Sequence, residues 1–170
     1  MHFSTLVNKR YSCRSFLPKP VEPAKYEELL DLCLKAPTAH NNWPLQLHVI
    51  ESTEKQEVIR AATRYHFSAP LFILICYDRE KVWVRREDAA HSGIDDAAIV
   101  GCHLMLGVQT LGLGTTWVKA FNPATLSEGL NLTENIVPVC LFPIGYPSET
   151  AAPAPAHFIR PEKETVVIYE

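Results

Sequence analysis

Apolar positions along the chain change their period repeatedly, and each change marks an element. Phe3, Leu6 and Val7 suit a short opening helix over about residues 3–8. Tyr26, Leu29, Leu30, Cys33 and Leu34 then recur at helical spacing, with Pro23 in the first turn and Pro37 closing the run. After a polar loop, "PTAHNNWP", the period drops to two: Leu45, Leu47 and Val49 alternate with Gln46, His48 and Ile50, as in a strand with one face buried. A modest helix over "EKQEVIRAATRYH" leads into "APLFILICYD", a continuous apolar run that predicts a central strand covered on both faces. Residues 79–93 read as a charged excursion. Asp95 to Leu111 is helical in length and apolar nearly all round, so this helix must lie deep or press against another chain. "GLGTTWVKAF" ends it and opens a strand, a short helix spans about Pro123–Gly129, and "IVPVCLFPIGY" predicts the next core strand.

The last segment has no such period. Residues 147–161 are rich in proline and alanine, which excludes an inner strand or a packed helix. As polyproline II, a dozen such residues reach ~35–40 Å. "TVVIY" follows and predicts a terminal strand over 165–169. An arm of that reach ending in a strand is built to wrap a second subunit and extend its sheet.

Composition narrows the class. The 170 residues are 47% hydrophobic and 21% charged, which fits a single domain of residues 1–170 with a real core. A net charge of −3 with no basic stripe argues against nucleic acid. No apolar run approaches the ~20 residues of a membrane span, and "MHFSTLVNKR" lacks the features of a signal peptide. Five scattered cysteines read as buried hydrophobes in a reducing compartment, not as disulfides or a zinc site. A cytoplasmic protein is expected.

Four stretches could carry chemistry. In "RYSCR", Arg10 and Arg14 stand at i and i+4 with Tyr11, Ser12 and Cys13 between them, a set able to hold phosphate bidentately. A solvated basic face or structural ion pairs would use the same residues. "GLGTT" at 112–116 follows a helix and opens a strand, the reverse of a dinucleotide-binding fingerprint, so helix capping explains it. The histidines show no ligand spacing, and Asp95–Asp96 suits the cap of the helix that follows. "APTAHNNWP" offers Thr38, His40, Asn41 and Asn42 beside Trp43. Nothing here supplies a nucleophile or an acid–base pair, so a cofactor must carry any reaction.

In order along the chain, these blocks resemble the FMN-dependent nitroreductases in their short single-domain form. "RYSCR" matches R-[RYH]-S-x-[RK], and "APTAHNNWPL" matches A-P-S-x-x-N-x-Q-P-W. "DAAI" and "LGLGTTWV" match the buried helix and the turn after it. "GYP" and an arginine ten residues ahead of "YE" close the set. Three positions depart: Trp43 and Leu45 stand where that pattern has glutamine and tryptophan, and Phe158 stands where a lysine is frequent.

The resemblance implies an α+β, three-layer sandwich around a mixed, mostly antiparallel sheet, with C-terminal arms exchanged in a homodimer. FMN would lie at the dimer interface. Arg10, Tyr11, Ser12 and Arg14 would form its phosphate and ribityl cradle, with Arg160 completing it. Thr38, Ala39 and Asn41 would come from the other subunit beside the ring, and the main chain of Trp117, Val118 and Lys119 would reach the flavin N5. NADH or NADPH would be the donor, and a small nitroaromatic or quinone the acceptor, in a ping-pong cycle with no catalytic acid or base from the protein. A different flavin reaction on the same fold, dehalogenation or flavin fragmentation, or flavin binding without turnover, is the alternative.

Overall fold

A computed structural model describes residues 2–170. The elements run α1 (Phe3–Lys9), α2 (Pro23–Cys33), β1 (Leu45–Ile50), α3 (Thr53–Ala62), β2 (Leu71–Asp78), α4 (Gly93–Thr110), β3 (Gly114–Thr115), α5 (Pro123–Gly129), β4 (Ile136–Gly145) and α6 (Lys163–Val166). The strands form one sheet in the order β1-β2-β4-β3, and every ladder is antiparallel. Parallel pairing among the described residues is confined to one isolated bridge, Ser12 to Thr115.

All eight residues of β2 are buried, as its unbroken apolar run predicts. Its period-two alternation divides the interior. Leu71, Ile73, Ile75 and Tyr77 join one core with α2 and α4, while Phe72, Leu74 and Cys76 join a second with α3 and α5. Helices therefore cover both faces, and the sandwich has three layers. β1 differs from its expected pattern. Leu45, Leu47 and Val49 meet the first core, but Ile50 on the opposite face is also buried, in the second core.

α4 enters the first core through Ala97, Val100, Leu104 and Val108, and leaves Ile94, Ile99 and Cys102 exposed on its other side. Two glycines let it lie close. A Cβ at Gly107 would sit 2.7 Å from Leu29 Cδ1 of α2, and one at Gly101 would sit 2.6 Å from Trp117 Cζ3 and 2.9 Å from Phe142 Cζ. Gly112, at φ 69°, turns the chain out of the helix into β3, the capping role expected of it. Asp95 and Asp96 are not the cap: Ser92 occupies that position, and both acids lie in the first turn.

The terminal strand expected over 165–169 is absent. Lys163–Val166 forms one helical turn, and none of the chain's own strands pairs with the residues that follow. Strand propensity is realised only by a ladder, and Ile168 and Tyr169 stand 82% and 80% exposed. The proline-rich segment begins pinned: Phe16 bridges Pro147, Ser148 N–H donates to Ser15 O at 3.1 Å, and the two serine hydroxyls lie 2.7 Å apart. A turn closed by Ala151 N–H to Ser148 O at 3.0 Å follows, and a 3-10 turn at Pro155–Phe158 comes after it.

Two tests follow from the packing. The Gly101→Ala variant forces a methyl against Trp117 and Phe142, and overpacking of this kind costs about 1–3 kcal/mol. It should lower the urea midpoint and shift tryptophan emission. His48 on β1 has a buried Nε2 without a partner, and burial lowers its pKa. Its folded pKa then lies below its unfolded one, so its contribution is complete above the usual imidazole value of ~6.5 and is lost as pH falls through the folded value. Between pH ~7.5 and ~5.5 the wild type should lose more urea stability than His48→Leu. Parallel pH dependences in the two proteins would show that folding leaves the His48 pKa unshifted.

Candidate functional site

"RYSCR" is extended, because α1 ends at Lys9 and Arg10 already has β geometry. Ser12 bridges Thr115, and Cys13 N–H donates to Thr115 O at 2.9 Å. The common face of Arg10, Ser12 and Arg14 thus comes from strand alternation and not from the i, i+4 spacing of a helix. Cys13 points inward and is fully buried. Gly114 is what admits it, since a Cβ there would lie 2.8 Å from the Cys13 Sγ. Arg160 arrives from the opposite end of the chain. With Arg10, Ser12, Arg14, Ala154, Ala156 and His157 it lines a cavity of about 330 Å³.

This cavity is an anion site by its donors. No carboxylate lines it, and none of its three arginines has an ion-pair partner among the described residues. Arg160 Nη1 donates to the carbonyls of His157 and Ile159, which fixes its head group over the turn. Tyr11 lies on the alternate face and does not line the cavity; burial, then its neighbour Cys13, raises its phenol pKa. Phe158 is 72% exposed, packs edge-on against His157 and adds no charge.

Arg14 is also a wall of a second cavity of about 240 Å³, shared with Tyr65, Phe67 and residues 116–120. Here Val118 is fixed to the sheet: its N–H donates to Leu141 O and its C=O accepts from Leu141 N–H, both at 2.9 Å. Because successive N–H groups of an extended segment point in opposite directions, those of Trp117 and Lys119 turn away from the sheet. The Trp117 ring packs edge-on against Phe142, 5.2 Å between centroids. The opposite wall is tied to this segment by Thr63, whose hydroxyl donates to Ala120 O at 2.6 Å and accepts from Tyr65 N–H at 3.1 Å. Tyr65 and Phe67 were not foreseen from sequence. Their signal was the aromatic cluster "RYHF" at the end of an expected helix that stops at Ala62 instead.

Thr38, Ala39 and Asn41 lie elsewhere. They occupy a loop with three left-handed residues, His40 (φ 52°), Asn41 (φ 55°) and Trp43 (φ 48°). Thr38 closes the loop on itself, accepting Asn41 N–H at its carbonyl (3.0 Å) and Trp43 N–H at its hydroxyl (3.2 Å). The Trp43 ring packs onto the first core beside Leu45. A third cavity, of about 400 Å³, separates the loop from Trp83, Arg85 and His91 of the excursion and from the start of α4. Within one chain, therefore, Arg10, Ser12, Arg14 and Arg160 converge, Arg14 joins them to Trp117, Val118 and Lys119, and Thr38, Ala39 and Asn41 do not join either group.

Three of the buried thiols are poor nucleophiles. Burial pushes Cys33 and Cys76 to about 12 and Cys140 higher still, so the thiolate that would react is suppressed. No helix among the described residues is long and apolar enough to cross a membrane.

Comparison with known proteins agrees with this architecture. A nitroreductase family protein from Clostridium difficile 630 superposes with a TM-score of 0.94 at 37% identity, over 100% of this chain and 99% of that one. A nitroreductase-named protein from Desulfovibrio desulfuricans, solved in complex with FMN, shares the fold at a TM-score of 0.83 and 23% identity, over 98% of this chain and 96% of its own. The FMN reductase [NAD(P)H] of Bacillus subtilis is 25% identical over 162 residues, which span 85% of this chain and 65% of that protein. The model of the nitroreductase family matches residues 7–68 and 66–146, a span holding "RYSCR", the left-handed loop, all of α4 and the Trp117 turn. On that match, together with the three-layer fold, this chain belongs to the nitroreductase family.

Proposed function

We propose that the chain is an FMN-dependent oxidoreductase, which takes hydride from NADH or NADPH and delivers it to a small acceptor such as a nitroaromatic or quinone in two separate half-reactions. One observation carries this reading: three arginines and a serine from opposite ends of the chain converge on a cavity with no carboxylate. A phosphate monoester fits that donor set, because planar guanidiniums match its oxygens and nothing nearby competes for them. The names of the B. subtilis and D. desulfuricans relatives support FMN as the molecule that bears it.

Bound FMN would supply the redox chemistry. Arg10, Ser12, Arg14 and Arg160 hold its phosphate, with Tyr11 bracing their strand from the other face. Arg14, which borders both cavities, leads from the phosphate toward the ring. The outward N–H groups of Trp117 and Lys119 would be the donors available to the flavin ring, while the Val118 N–H, used by Leu141, sets their spacing. These fixed dipoles favour the electron-rich reduced ring without any side chain moving a proton.

The working unit in this reading is a homodimer in the cytoplasm. Thr38, Ala39 and Asn41 stand apart from the arginine cradle of their own chain, and in this reading they would serve the cradle of a second copy. An apolar groove lined by Phe3, Leu6, Leu32, Cys102, Leu106 and Gly107 supports the same conclusion, because a second copy would bury it. With Arg160 held at the cradle of its own chain, the exposed Ile168 and Tyr169 beyond it would be the part of the C-terminal arm that reaches the partner.

The first test is the visible spectrum of the purified protein. Flavin bands should bleach under anaerobic NADH or NADPH and return on adding a nitroaromatic. Arg14→Ala should weaken FMN binding by about 10- to 100-fold, the scale of one or two charge-assisted hydrogen bonds. A colourless protein that does not take up added FMN would overturn the proposal, and bands that never bleach would reduce it to flavin binding.

A further inference from the structure

The loop that carries Thr38, Ala39 and Asn41 is held by a side chain far from it in sequence. Asp96, in the first turn of α4, is 1% exposed and accepts the Ala39 N–H at Oδ1 (2.8 Å). Its Oδ2 accepts the Ser92 hydroxyl at 2.7 Å. Ser92 continues the connection: its Oγ accepts the Trp83 N–H at 3.2 Å, and its own N–H donates to Trp83 O at 2.9 Å. The Trp83 ring lies nearly parallel to His40, 5.9 Å away with 14° between planes. The contacts form a closed circuit, Asp96 to Ala39, His40, Trp83, Ser92 and back, around the cavity of about 400 Å³.

A buried carboxylate is costly unless its oxygens are well satisfied. Asp96 has no ion-pair partner among the described residues, and its place at the start of α4 and these two hydrogen bonds must hold its charge. A neutral residue would secure the start of α4 at lower cost. What the carboxylate does that an apolar side chain cannot is to grip two places at once, the 38–43 loop and the α4 cap Ser92, which in turn holds Trp83. One of them contains three left-handed residues, a conformation that persists only when its surroundings impose it.

We propose that Asp96 is a positioning residue, which fixes the 38–43 loop and the Trp83 segment at one spacing and so shapes the pocket where the acceptor meets the flavin. The last clause rests on the function proposed above; the coupling of the two segments does not. Asp96 touches no substrate in this scheme and acts through Ala39 and Ser92.

Hydrogen exchange of residues 37–44 and 82–92, measured with FMN present, separates the two. Asp96→Ala should speed exchange in both segments by about tenfold, the scale of one buried hydrogen bond. Ser92→Ala should loosen only 82–92. Asp96→Asn keeps an acceptor for Ala39 and should return 37–44 to its wild-type rate. The acceptor KM should rise by about tenfold in Asp96→Ala and recover in Asp96→Asn. Unchanged exchange at 37–44 in Asp96→Ala, or faster exchange with an unmoved KM, would overturn the proposal. If Asp96→Ala does not fold, the contrast between Ser92→Ala and Asp96→Asn decides it. A wild type that binds no flavin would overturn the proposed function instead, and the exchange comparison would then judge the coupling by itself.

Discussion

The ladder between β2 and β4 is the constraint on which the remaining structure depends. β2 has no polar face, so each side of it must be covered, and each covering needs its own helices. α2 and α4 meet one side and α3 and α5 the other. With both faces taken, the chain's remaining surfaces for function are the sheet ends and the loops that leave them. The arginine strand runs along one such end, held by Thr115 and Pro147, and the left-handed loop leads into β1 at the other edge.

Close approach of backbone is the second requirement. Gly114 admits Cys13, and Gly101 admits Trp117. Both contacts serve the site indirectly. The first holds the strand that presents Arg10, Ser12 and Arg14 outward, because an anchor at the odd position aims the even ones. The second fixes the ring beside two main-chain N–H groups that face away from the sheet. The polar part of the site thus stands on apolar contacts directly behind it, which spares the arginines from being neutralised by local carboxylates in order to be held.

Much of this was legible in the sequence. Unbroken apolar character identified β2 and β4, helical spacing identified α2, and the missing wet face of α4 foretold its deep seat in the first core and the apolar residues left exposed on its other side. The donors of "RYSCR" were also readable, since guanidinium chemistry does not depend on context. The geometry behind them was not: i and i+4 suggested one arrangement, and an extended strand achieved the same common face by another. "TVVIY" shows the opposite limit. Its residues favour a strand, yet the chain holds a helical turn there, because a strand forms only in a ladder and no strand of the chain's own sheet pairs with it.

The side chain that sequence placed least well was Asp96. At the head of a helix an aspartate reads as a cap, and nothing local reveals that it is buried or that it grips Ala39, 57 positions away. The same holds for Tyr65 and Phe67, whereas Arg160 was joined to Arg10 through the family resemblance and not through anything local to either residue. Sequence by itself determined which segments are apolar, at what period, and where cationic donors are concentrated, because those follow from side-chain chemistry and local spacing. Tertiary structure alone decided which distant donors share a cavity and which buried charge holds which loop, because those depend on how layers packed for apolar reasons bring polar groups together.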